Sequence, residues 1–115
     1  MAVSGYRDLA VWQKAMDLVT ECYRACQRFP KPEIYGLCSQ LQRPAVSVPA
    51  NIAEGHGRHS TREYLQHLRI GHGSLMELET HLQIGERLQY LDPESVQRLL
   101  VLSGDIGRML NGLIA

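Results

Sequence analysis

Between Tyr64 and Gly85 the residues Tyr64, Leu68, Gly71, Leu75, Leu78, Leu82 and Gly85 recur at strictly alternating intervals of four and three. That spacing lines up one side of an α-helix, whereas a half-buried strand would alternate at every second residue. A helix with so narrow an apolar line hides it only by lying against other helices. Three further segments carry the same intervals. On the first, Leu9, Trp12, Met16, Val19, Tyr23 and Cys26 form one stripe, and Ala15, Leu18, Cys22, Ala25 and Phe29 form another. Two stripes on one helix predict more than one neighbour. Leu37, Leu41, Ala45, Val48 and Ile52 mark a second helix, and Val96, Leu99, Ser103, Ile106, Leu110 and Leu113 a fourth. No stretch shows useful strand alternation. The pattern predicts an all-α, antiparallel up-down-up-down four-helix bundle, one domain over residues 1–115.

Local signals punctuate these segments. Pro30 and Pro32 end the first helix, because a residue before proline is pushed out of the helical region. Pro44 and Pro49 fall inside the second, where each removes a backbone hydrogen bond at about 3 kcal/mol in a regular interior. They predict a bend there, or two short helices, Gly36 to Arg43 and Ala45 to Glu54. Gly55 and Gly57 flank His56 where a helix end calls for positive φ. Ser60-Thr61-Arg62-Glu63 has the form of a capping box and fixes the start of the third helix. Asp92 and Pro93 supply an N-cap and a first-turn proline for the fourth. Gly71, Gly73 and Gly85 each cost about 1 kcal/mol relative to alanine inside a helix, which predicts close approach of a neighbouring backbone.

Charge narrows the choice of partners. Lys plus Arg and Asp plus Glu number 12 each, so any pull on nucleic acid comes from local clusters. Arg43, Arg58, Arg62 and Arg69, opposed by Glu54 and Glu63, form one such cluster and are the candidate nucleic-acid contacts. Residues 77–94 hold five acids against Arg87, a stretch that could mate with the basic one on a next subunit in a head-to-tail ring. No apolar run is long enough to span a bilayer, and Met1 to Asp8 lacks a signal-peptide core, so a soluble, cytoplasmic protein without membrane contact is expected. Cys22, Cys26 and Cys38 are odd in number and sit among apolar neighbours, which predicts reduced core thiols.

The polar residues yield no catalytic constellation. All five histidines lie between His56 and His81, but His67, His72 and His81 are five and nine residues apart and do not share a helical face well. The Glu-x-x-His pairs of di-iron bundles are missing, so neither metal nor cofactor is expected. Glu63 and His67 have the spacing of a surface hydrogen bond. Asn51 and Glu54 stand among aliphatic residues and read as a structural polar network, with Glu54 paired to Arg58 or Arg43 and Asn51 satisfying backbone groups freed by Pro49. The alternative is a metal- or small-molecule-dependent enzyme that uses Asn51, Glu54 and nearby histidines.

Several pieces together resemble a known family: L-A-V-W-Q-K-A at Leu9 to Ala15, F-P at Phe29, E-x-Y-G-L at Glu33 to Leu37, S-V-P-A-N-I-A-E-G-H-G-R at Ser47 to Arg58, and G-S-L-M-E-L-E-T at Gly73 to Thr80. The chain is similar over about Tyr6 to Leu91 to the bacterial four-helix-bundle proteins associated with 23S rRNA intervening sequences. That family is in turn similar to the accessory protein of diversity-generating retroelements. The resemblance implies a small cytoplasmic bundle that assembles into a homopentameric ring and has no established enzymatic activity. For the retroelement relative it implies nucleic-acid and reverse-transcriptase binding through a basic surface. Pro44 departs from the family pattern, standing where a small helix former usually follows an arginine pair of which only Arg43 remains. The expected function is therefore a non-enzymatic oligomeric scaffold, with RNA or a ribonucleoprotein as candidate partner.

Overall fold

The computed structural model describes residues 5–115. Residues 1–4, the start of the segment read as lacking a signal-peptide core, lie outside them. Four helices follow in order: α1 (Ala10–Cys26), α2 (Leu37–His56), α3 (Thr61–Arg87) and α4 (Pro93–Ile114), with single 3₁₀ turns at Tyr6–Asp8 and Lys31–Ile34. The described residues contain no strand. Each helix packs on its neighbour in sequence and α4 closes on α1, so α1 and α3 stand on a diagonal. The result is the expected up-down-up-down bundle.

The apolar lines meet at its centre. Leu68, Leu75, Leu78 and Leu82 of α3, Leu41, Val48 and Ile52 of α2, Leu18 and Cys22 of α1, and Ile106 and Leu110 of α4 are buried together. The second stripe of α1 is the one that enters this core. Of the first, only Cys26 is buried; Met16 and Tyr23 are exposed and Leu9, Trp12 and Val19 half-exposed. Leu113, placed on the core line of α4, is also exposed, next to the helix end at Ile114.

α2 runs unbroken through Pro44 and Pro49, so the two-helix alternative does not occur. Both rings are buried, and their apolar packing offsets the lost ladder bonds. Among the described residues no glycine is left-handed; Gly57 ends α2 at φ −79°, and the left-handed residue is Gln89 (φ 63°) at the α3–α4 corner. Gly55 serves another purpose: a Cβ there would lie 2.7 Å from the Cβ of His67 and 3.1 Å from the Tyr64 ring. Only hydrogen lets α2 and α3 approach so closely.

The helix ends are tied as charge and spacing suggest. The Ser60 hydroxyl accepts from the Glu63 amide (3.3 Å), one half of the capping box. Asp92 accepts from the Ser95 amide (2.9 Å), and Arg28 from the end of α1 donates to both Asp92 (3.1 Å) and Ser95 Oγ (2.8 Å). The Ser95 hydrogen bonds, and then Arg28, hold the Asp92 carboxyl below its usual range. Glu33 caps α2 from outside the helix, accepting from the Leu37 amide (3.2 Å) and, through its other oxygen, from the Tyr90 hydroxyl (3.0 Å).

Candidate interaction surface

Along the α2–α3 seam, polar side chains form a chain of hydrogen bonds. The Asn51 amide donates to the Ser47 carbonyl (2.9 Å) and hydroxyl (3.0 Å), and Ser74 of α3 donates to the same hydroxyl (2.9 Å). With Nδ2 so engaged, Oδ1 is left as acceptor, and His67 donates to it from Nδ1 at 2.9 Å. His67 thus bonds across the seam rather than to Glu63. Pro49 frees the Ala45 carbonyl, two residues before the carbonyl that Asn51 takes, so Asn51 ties two helices together rather than repairing the ladder.

Glu54 is exposed and pairs with Arg58 at 2.9 Å, one of its two expected partners. It points to solvent while Asn51 faces α3, so the two do not form a common site. The remaining histidines are dispersed: His56 meets Tyr64 edge-on (centroids 6.0 Å apart), His81 lies 3.4 Å from Glu77, and His59 is exposed. No group of three or more His, Cys, Asp or Glu side chains among the described residues could hold a metal ion.

The four candidate arginines are all exposed, but the bundle separates them. Arg62 and Arg69 are seven residues apart on α3, on one outward line about 10 Å long. Arg58 sits near them at the α2–α3 turn and is engaged with Glu54. Arg43 faces the other way, into the α1–α2 seam beside Tyr23, Ser39, Gln42 and Val46. Neither Arg43, Arg62 nor Arg69 enters an ion pair among the described residues. Adjacent sequence does not mean a shared face here.

The α1–α2 seam is the feature that residue spacing missed. Near the 3₁₀ turn it opens into a cavity of about 330 Å³ lined by Tyr23, Gln27, Phe29, Lys31 and Gln42, with Cys26 and Cys38 on its walls. The two cysteines face one another, the Cys38 thiol donating to the Cys26 carbonyl at 3.5 Å. All three cysteines are buried and free. Burial, then the Cys38 thiol, pushes the Cys26 thiol up to about 12, and burial with nearby Glu21 pushes Cys22 up to about 12. These are packing groups, not nucleophiles.

A small antiparallel bundle with polar bonds spent on its seams, and with free cations and apolar side chains left outside, is the class of protein defined by this arrangement. Residues 7–112 match the family described as 23S rRNA-intervening sequence protein, and the chain belongs to that family. The match takes in α4, beyond the reach of the motifs read from the sequence. Nothing among curated proteins matches. The fold is similar to the crystal structure of a protein of unknown function from the S23 ribosomal protein family of Bacteroides thetaiotaomicron, with a TM-score of 0.82 at 21% identity over 91% of this chain and 98% of that one. No helix of the described residues is long and apolar enough to cross a membrane.

Proposed function

We propose that the protein is a non-enzymatic scaffold that assembles with copies of itself, as a ring of five, and presents free arginines to RNA or a ribonucleoprotein. The observation that carries this reading is the stripe of α1 that the bundle leaves uncovered. Met16 is 41% exposed there, beside half-exposed Trp12 and Val19. A second apolar line, Ile70 and Ile84 on the outside of α3, continues to Leu88 at its C-cap. A ring needs two unlike faces on each subunit, and these two lines are unlike and separate. Gly73 fits the same picture: its Cβ would meet nothing within 4 Å, so its helix cost finds no return inside one subunit.

The RNA part rests on the family's description and on Arg62 and Arg69, which flank the α3 line and form no ion pair among the described residues. Phosphate contacts of this kind release counterions and weaken steeply with salt.

Light scattering on the purified protein tests the assembly: the expected mass is a multiple of 13.0 kDa, and Met16→Glu returns it to one subunit. A stable monomer at micromolar concentration overturns the scaffold. RNA binding should fall with salt and with Arg62→Glu plus Arg69→Glu. Binding that ignores salt, or is absent, overturns the RNA role.

A further inference from the structure

We propose that the α1–α2 seam, from Tyr23 to the 3₁₀ turn, is a binding groove for a short stretch of single-stranded RNA, with Tyr23 as the stacking platform and Lys31 and Arg43 as the phosphate contacts. The inference rests on the RNA reading above and assigns it a place that the outward arginines of α3 do not occupy.

Two cavities of about 330 and 340 Å³ share Tyr23 and Gln42 as walls and so lie side by side along the seam. No carboxylate lines either of them. The two cations on the rim, Lys31 and Arg43, are exposed and form no ion pair among the described residues, so the groove carries an uncompensated double positive charge in a protein with no net charge. That imbalance selects an anionic occupant.

The other lining groups select among anions. Tyr23 is 45% exposed and meets no other aromatic ring among the described residues, which leaves its π-face open to a base. Gln27, Ser39 and Gln42 offer both donors and acceptors at the edge, the mixture that a base edge requires and a carboxylate-rich peptide does not. An exposed ring flanked by cations is the arrangement by which single strands are held, because an unstacked base has a free face whereas a duplex hides it.

Fluorescence anisotropy with a fluorescein-labelled single-stranded RNA of mixed sequence, and with the same strand as a duplex, tests this on the full chain. Expected are tighter binding of the single strand, a loss on the order of tenfold in Tyr23→Ala, and near-native affinity in Tyr23→Phe, which keeps the ring. Lys31→Glu with Arg43→Glu should reduce the slope of log affinity against log salt by about 1.4, two single-strand phosphate contacts. The groove is overturned, with the RNA reading intact, if Tyr23→Ala binds as the parent does while Arg62→Glu with Arg69→Glu abolishes binding. It is equally overturned if the duplex competes as well as the single strand, or if polyglutamate displaces the RNA as effectively as unlabelled RNA does, which would make the occupant an acidic protein. No binding of either probe overturns both readings. Unchanged far-ultraviolet circular dichroism in each variant separates these outcomes from misfolding.

Discussion

Along its α3 side, α2 is joined by atoms in contact: hydrogen-only clearance at Gly55, and an unbroken run of hydrogen bonds from His67 through Asn51 and Ser47 to Ser74. Along its α1 side the same helix meets buried thiols, an open groove and an apolar stripe half in solvent. A seam whose donors and acceptors satisfy one another has nothing left to offer a ligand. A seam that leaves a ring and two cations exposed does. The contrast separates the half of the molecule that fixes the fold from the half that is free to bind.

The sharpest way to break the comparison is to push the tight seam apart. Gly55→Val forces side-chain carbons into the space of His67 and Tyr64, neither of which can swing away without leaving its own partner. Overpacking of this kind should cost about 3 kcal/mol in chemical denaturation. Gly57→Ala, two residues on, brings a methyl only to ordinary contact with the Glu54 carbonyl (3.6 Å) and should stay within about 0.5 kcal/mol of the parent. Equal losses at the two glycines would mean that the seam is not the closest approach in the fold.

Next in size is the polar chain. Asn51→Ala strands His67 Nδ1 and removes one of the two donors to the Ser47 hydroxyl, and should cost about 1–2 kcal/mol. His67→Ala strands Asn51 Oδ1 and should cost a similar amount, while the double variant loses less than the sum, with coupling of at least about 0.5 kcal/mol. Strict additivity would show that the bond from His67 to Asn51 is not made in solution.

How far these two halves can be read from residues follows from the range over which each is encoded. Leu68, Leu75, Leu78 and Leu82 announce themselves because burial acts on one face of one helix, which imposes a period of three to four along the chain. Ser60 and Asp92 are equally plain, since a cap satisfies amides only three residues away. Gly55 is different. Its meaning depends on how near a second helix comes, and the local rule for a helix end suggested a positive φ that the backbone does not adopt. Likewise Arg43 and Arg62 look like one cluster in the chain, yet α2 turns the first toward α1 and α3 carries the second outward. The groove at Tyr23 joins residues from two helices and a 3₁₀ turn, so no spacing rule could assemble it. The left-handed Gln89 carried no signal, because glycine or asparagine would be the ordinary choice there.

The thiols sharpen the α1–α2 side. An unfolded cysteine ionises near the ordinary value of 9.0, whereas burial holds Cys22 and Cys26 near 12. Above pH 9 the unfolded chain sheds protons that the native chain keeps, so stability is level below pH 9 and falls as pH rises toward 12. The loss should be on the order of 1 kcal/mol per thiol by pH 10. Replacement of both by alanine should remove that slope, though the protein then starts from a lower stability. Iodoacetamide at pH 8 should label the native protein far more slowly than the denatured one. Rapid native labelling at Cys26 would show that this seam opens fully rather than only to its groove.

The smallest effect belongs to the corner that neither seam controls. Asp92 is lowered in the folded chain by Ser95 and Arg28, so its contribution is fully present above the ordinary carboxylate range and disappears as pH falls through its folded value. Its exposure keeps the change slight, a gentle decline in melting temperature below about pH 4 that Asp92→Asn should flatten. Salt should weaken the part owed to Arg28, which reaches across at 3.1 Å, and leave the part owed to the Ser95 amide untouched. A decline abolished outright by salt would make the ion pair, rather than the helix cap, the reason that α4 begins where it does.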